Sequence, residues 1–448
     1  MRMKVLTVAV GAAVAAVAFA EATVNGPMEF EPIAASAYAE LTTDPTILNN
    51  APWSVPEGFK QYIVSDETRL DIYPGTNDWN DMNTVNETGR HAGQFLYRTH
   101  EVRPDRNNIA GYAGGAVSVV DLKTGDAKLV AQRMDWEALD GLVWTPWGTL
   151  LFAEETGTAL LTDPDYPQAT RGLLYEMKID KRDPAKAEWI KVRPMLGSIA
   201  HEGIEVDAEG NVYVIDEYKT GAIYKFVPRR HGDLSEGQLY ALKVDDSASG
   251  DRTGSAQWVA LDMDLAPMDA RSAAMAVGAT TYGRPEDLER IGNTLYVAIT
   301  SEARVLSIGL DKTPVVRNFV KAGLNAPVED RATGVTGFRS PDNLANGPDG
   351  KLWIVEDNVP SDIWVAQPDK NGDGASDGVH LFASLKDKNA EGTGIYFGKD
   401  PHTLFVNIQH SATGNDKTMA ITNRDKKDDG DDNGDHDESE SEGHRGRK

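Results

Sequence analysis

The chain has no cysteine, which excludes disulfides, thiolate nucleophiles, zinc ribbons and iron–sulfur clusters. Positive charge is also short. Its 448 residues hold 45 Lys and Arg against 70 Asp and Glu, a formal charge of −25. A nucleic-acid-binding surface needs clustered cations to displace counterions from phosphates, so that class is set aside and divalent cations become the natural partners. Long apolar runs are missing except at the start, and there Val5 to Phe19 falls short of the roughly 20 residues that span a bilayer. No membrane span is expected. With its basic start and Ala18-Phe19-Ala20 as a small-x-small cleavage site, the segment 1–20 reads as a Sec-type secretory signal peptide, which places the protein in the periplasm or outside the cell. At the other end, residues 425–448 contain ten acids, five bases and no apolar residue. That composition predicts a disordered acidic tail.

Helical periodicity is scarce between residues 45 and 423, where short apolar or alternating runs are punctuated by Gly and Asn turns. One unit recurs: an acid opens a short strand, a polar Gly-containing turn follows, and a hydrophobic strand returns to end in a carboxylate. Asp140 opens DGLVWTPWGTLLFAEE, Glu202 opens EGIEVDAEGNVYVIDE, Glu286 opens EDLERIGNTLYVAITSE and Asp342 opens DNLANGPDGKLWIVED. Glu391 opens a fifth copy that ends in Asn407, Gln409 and His410, and a looser first copy runs from near Asp81 to Glu101. The opening acids are 59, 62, 84, 56 and 49 residues apart, a spacing that suits one propeller blade with its loops per copy. The expected fold is therefore all-β: a six-bladed β-propeller with a central channel over residues 21–424, beginning with an N-terminal arm over roughly residues 21–45.

In such a hairpin the opening and closing acids lie at the same end, so the copies would aim a ring of carboxylates at one channel mouth. Asp140, Glu202, Glu286, Asp342 and Glu391 are the principal candidate metal ligands, followed by Glu101, Glu154 and Glu356. Converging carboxylates without thiolates suit hard cations, calcium first, with manganese or oxygen-ligated iron next. Cations held together can neutralise an anionic substrate and activate water for attack at phosphorus. Arg284, two residues before Glu286, offers a planar fork to a phosphate oxygen; its alternative role is a salt bridge that holds ring acids apart. Arg284, Glu202 and Asp140 are the candidates for catalysis itself. A second calcium signal is local: DKNGDGASDGVH places Asp369, Asn371, Asp373 and Asp377 at calcium-loop spacing. His380 replaces the bidentate Glu of a sensor hand, so a calcium-clipped loop between strands is expected.

The segments TPWGTLLFAEE, SIAHEGIEVDAEGNVYVIDEYKTGAIYKFVP, RPED, SPDNLANGPDGKLWIVED and EGTGIYFGKDPHTLFVNIQH, in this order, resemble the PhoX-type alkaline phosphatases over roughly residues 80–420. The resemblance implies a six-bladed propeller that binds calcium and iron at the channel mouth and hydrolyses phosphomonoesters outside the cytoplasm. It matches Glu202, Glu286 and Glu391 to acidic metal ligands, Asp342 to a further one, and Arg284 to a phosphate-contacting Arg. This sequence departs before TPWGT. The family carries Asn-Cys-x-Gly-Gly there, its Cys ligating iron, whereas Asp140 stands here within Leu139-Asp140-Gly141-Leu142-Val143. RPEG has become RPED, and the family's usual twin-arginine signal is missing. Alongside a metal-dependent phosphatase acting on a small phosphate ester, two other readings fit the carboxylate ring: a calcium-dependent lactonase or esterase, and a non-catalytic calcium-stabilised extracellular protein.

Overall fold

Alternating apolar and polar residues over five to seven positions, closed by Gly or Asn turns, form antiparallel strands wherever one face can be buried, and this chain repeats that pattern throughout. The computed structural model describes residues 23–103, 114–245 and 250–424; the signal peptide and the acidic tail lie outside the described residues. The result is all-β and propeller-like. Four sheets contain four or five strands each, and a fifth contains ten. Two α-helices occur among the described residues, Pro45–Leu48 and Ala266–Ala276. Among the described residues, no helix is long and apolar enough to cross a membrane.

Each sheet is a meander that starts at the centre and works outward. The central strands are Asn80–Val85, Leu139–Trp144, His201–Val206, Pro285–Ile291, Pro341–Asn346 and Glu391–Phe397. Each touches the next, and the last touches the first, so they close around a channel. The ring is latched by the N-terminal part of the chain: Lys60–Asp66 pairs with Lys417–Thr422 on the outer edge of the sheet that Glu391–Phe397 begins.

The ten-stranded sheet arises in the widest interval between repeats. Between Glu202 and Glu286 the strands Gly221–Arg230 and Asp233–Val244 are unusually long, and a further strand, Gly254–Ala260, reaches the neighbouring meander, where Gly254 and Ser255 pair with Val316 and Val315.

Apolar faces of neighbouring sheets pack against each other. One such cluster contains Leu151, Val212, Val214, Tyr224 and Phe226; another contains Val24, Phe30, Trp353, Phe382, Val406 and Ile421. Phe382 lies at the centre of the second, edge-on to Phe30, Phe59 and Trp353 at centroid distances of 5.0, 5.1 and 4.8 Å. Phe382→Leu keeps most of the apolar volume but removes these ring contacts, and is expected to cost about 2 kcal/mol, read as a lower urea midpoint at unchanged slope.

Candidate metal centre and active site

Five of the six central strands have the same irregularity at the same place. The pairing shifts between Asn80 and Asn83, Leu139 and Leu142, His201 and Ile204, Pro285 and Leu288, and Pro341 and Leu344. The second residue of each strand is thus set in a bulge, and it is an acid every time: Asp81, Asp140, Glu202, Glu286 and Asp342. A bulge bends the strand and re-aims its side chain, and here it turns all five carboxylates into the channel mouth. Gly141 permits the crowding, because a Cβ there would lie 1.7 Å from the Glu202 carbonyl oxygen.

Four of these strands are entered through a left-handed residue that is not glycine: Trp79, Ala138, Arg284 and Ser340, with φ of 52°, 45°, 53° and 43°. Such backbone costs roughly 1–3 kcal/mol per residue and persists where surrounding structure imposes it. Here the return strand does so. The N–H groups of Glu101, Glu155, Thr300 and Asp357 donate to the carbonyls of Trp79, Ala138, Arg284 and Ser340 at 2.8–3.0 Å. The same junction presents Glu101, Glu155 and Asp357 to the mouth as a second tier of acids, joined by Glu217, whose N–H donates to the Ala200 carbonyl at 2.9 Å.

The sixth strand breaks phase. Its pairing shifts between Thr393 and Tyr396, so the equivalent of the five acids is Gly394, at φ 55°. A Cβ there would meet the Asp81 carbonyl oxygen at 2.1 Å. Glu391 still lines the mouth, but from the first residue of its strand, beside His410 at 3.3 Å. The spacing of the repeats alone suggests six equivalent acids; the structure has five in register and one displaced.

Two second-tier expectations are corrected. Glu154 and Glu356 do not face the mouth. Glu154 accepts the N–H groups of Glu137 and Leu173, both at 3.0 Å, and Glu356 accepts the Arg339 N–H at 2.7 Å and the Asn358 amide at 2.9 Å. Successive side chains on a strand point to opposite faces, so the mouth receives their neighbours Glu155 and Asp357. His100 and His201 likewise turn away from the acids beside them: His100 contacts the Asp78 carbonyl and Ser118, and His201 the Gly197 carbonyl. Asp369, Asn371, Asp373 and Asp377 lie elsewhere, in the loop after Asp362–Ala366, where their oxygens accept N–H groups of the loop itself.

The mouth is a cavity of about 500 Å³ in which ten carboxylates face two guanidiniums. Arg284 takes the salt-bridge role, with Nε 2.7 Å from Glu217, Nη2 3.0 Å from Glu286 and Nη1 3.7 Å from Asp357. Arg103, which the motifs did not single out, bridges Glu101 at 2.9 Å and also pairs with Glu155. Two cations do not balance ten acids. Burial first, then mutual repulsion, pushes Glu101, Asp140, Glu202, Asp342 and Glu391 well above the carboxylate range. Burial lifts Asp81 to about 7 despite the Gln409 amide, and burial with the facing Glu155 lifts Glu217 to about 11. Burial raises Glu155 too, but hydrogen bonds from Glu217 and Arg103 outweigh it and hold Glu155 below its ordinary value.

Within this field Glu202, Glu286 and Asp342 each bring a carboxylate oxygen within 4.8 Å of the others, and all three are buried. Asp140 adds a buried Oδ1 that has no hydrogen-bond partner among the described residues. An orphaned buried carboxylate oxygen is costly, and hard oxygen donors converging around it fit calcium, magnesium-like or manganese-like cations. Among the described residues that line the mouth, none carries sulfur to select softer metals.

The sequence model of the family described as alkaline phosphatase PhoX matches residues 143–334 and 316–412. No curated protein matches the chain. Among solved structures, the fold is similar to that of Pseudomonas fluorescens PhoX in complex with vanadate, a transition state analogue: TM-score 0.61, 19% identity, covering 89% of this chain and 98% of that one. A gluconolactonase from Xanthomonas campestris aligns at TM-score 0.44 and 11% identity, over 85% of this chain and 93% of that one.

Proposed function

Because the chain belongs to the PhoX alkaline phosphatase family, we propose that it is a metal-dependent phosphatase acting on small phosphate esters at the channel mouth. Its frame is six blades, with the ten-stranded sheet counted as two. The observation that carries the reading is the buried triangle of Glu202, Glu286 and Asp342 beside the unpartnered Asp140 oxygen. These four, with Glu391 and Asp81 at the rim, would hold the cations. Calcium is the expected occupant, with iron or manganese as further candidates, and Asp140 stands where the family's resemblance places a thiolate. The chemistry that bound hard cations supply is neutralisation of the ester's charge and activation of water.

The protein's own groups bind and orient. Arg284 is 39% exposed and already spans two tiers of the ring, so its fork is placed to exchange a carboxylate for a phosphate oxygen. Arg284→Ala is expected to lower kcat/KM about 10- to 100-fold, the worth of a charge-assisted hydrogen bond, with the loss mainly in KM. Arg284→Lys should recover only part of it, since a point charge cannot bridge two oxygens. The function itself is tested by assaying purified protein on a phosphomonoester with calcium, iron and manganese supplied singly and together; no turnover in any of them overturns it. A location outside the cytoplasm, and a structural calcium clipped by Asp369, Asn371, Asp373 and Asp377, belong to the same proposal.

A further inference from the structure

Beside the mouth lies a second cavity of about 690 Å³, which shares Arg103 and Gly157 with it. The chemistry changes across that boundary. Where the mouth is lined by acids, the second cavity has Arg103, Arg171, Lys219 and Arg271 against Glu137. The three arginines are held in place: Arg103 by Glu101 and Glu155, Arg171 by Asp269 at 3.3 Å, and Arg271 by a two-pronged contact with buried Asp216 at 2.6 Å. Lys219 is different. It is exposed, its Nζ lies 5.7 Å from the Tyr218 ring, and no carboxylate among the described residues pairs with it.

The apolar part of the lining is equally uneven. Arg271 covers one face of Tyr218 at 3.8 Å and so fixes the ring. Leu160 and Met275, large apolar side chains in the same wall, remain 55% and 71% exposed. The loop bearing Leu160 is anchored, since Glu137 accepts the N–H groups of Leu160 and Leu161 at 2.8 and 2.6 Å. A fixed ring, two uncovered apolar side chains and one unpaired ammonium are the complement of an organic anion.

We propose that this cavity is the subsite for the leaving alcohol of the phosphate ester, and that it favours alcohols bearing a ring and a second negative charge. The proposal rests on the phosphatase reading for the mouth. In the hydrolysis it serves, the P–O bond to the alcohol breaks, water supplies the oxygen that joins phosphorus, and the alcohol departs with a proton through this cavity.

The test compares 4-carboxybenzyl phosphate, benzyl phosphate and ethyl phosphate, whose leaving groups are all primary alcohols. Lys219→Ala is expected to lower kcat/KM for the carboxybenzyl ester about fivefold, the effect of one partly screened ion pair, and to leave the other two within about twofold. Lys219→Arg should restore the preference. Leu160→Ser with Met275→Ser should lower benzyl relative to ethyl ester about fivefold through lost apolar burial. Calorimetry of the calcium-loaded protein with 4-carboxybenzylphosphonate and ethylphosphonate reads the same preference without turnover. Equal selectivity in wild type and Lys219→Ala, in rates or in phosphonate affinities, overturns the subsite. A Lys219-dependent phosphonate preference in a protein that hydrolyses none of the esters supports the subsite and overturns the phosphatase reading instead.

Discussion

Glu202→Gln is expected to lower kcat/KM on phosphomonoesters by about a thousandfold or more, the scale on which removing one preorganised charge from a catalytic centre acts. Gln keeps the volume and one hydrogen-bonding oxygen, so the strand and its bulge should survive. What is lost is a charge shared with Glu286 and Asp342 within a 4.8 Å triangle, and with it the anionic half of a cation site. Metal content should fall in parallel, by at least one cation per chain. Glu154→Gln is the paired control: its carboxylate serves the N–H groups of Glu137 and Leu173 and faces away from the mouth, so kcat should stay within about twofold while stability drops. If both variants are equally impaired, or both equally active with metal retained, the triangle is not the reaction centre.

The contrast between Glu202 and Glu154 also marks how far the sequence could be read. The repeat of acid, hairpin and acid located the central strands, because a period of about 50 to 80 residues and a period of two within each strand are both visible in one dimension. Asp140, Glu202, Glu286 and Asp342 follow from that repeat, and all four meet at the mouth. Asp81 opens the looser first copy, but the looseness of that copy leaves Glu101, not Asp81, as its candidate ligand. Two things were hidden. Three of the closing strands end in a pair of acids, and deciding whether Glu154 or Glu155 points inward requires the register set by the bulge at Asp140, which one sequence does not reveal. The displacement of Glu391 was hidden for the same reason, since Gly394 occupies its phase. Arg103 had no signal at all. It lies outside every repeated segment and comes to Glu155, 52 positions on, only when the first two sheets pack side by side.

Chelation is expected to lower the melting temperature by about 5 °C, and by more at pH 8.5 than at pH 6.5. A cation that binds only the native state stabilises it by about 4 kcal/mol at a thousand times its Kd, and a chain of this size shifts by roughly 1 °C per kcal/mol. The pH dependence follows from the direction of the shifts. Folded-state values raised above the unfolded range of about 4 mean that, without cations, the native mouth holds protons that the unfolded chain has released. That contribution is complete below the unfolded value and drains away as pH rises through the folded ones, about 7 for Asp81 and about 11 for Glu217. His100, His201 and His410 are pushed down to about 3, 4 and 4, chiefly by burial. They oppose this trend, weakening the fold as pH falls through about 6.5, where the unfolded imidazole takes its proton. At pH 6.5 the unfolded imidazoles are about half protonated, which offsets part of the carboxylate effect; by pH 8.5 they are neutral in both states and the carboxylates set the slope. Calcium in excess should flatten it, because a bound cation neutralises the ring in place of protons. A chelated protein that melts at the same temperature as the calcium-loaded one at both pH values would mean that the ten acids are compensated by the protein itself, and that the mouth holds no cation the fold depends on.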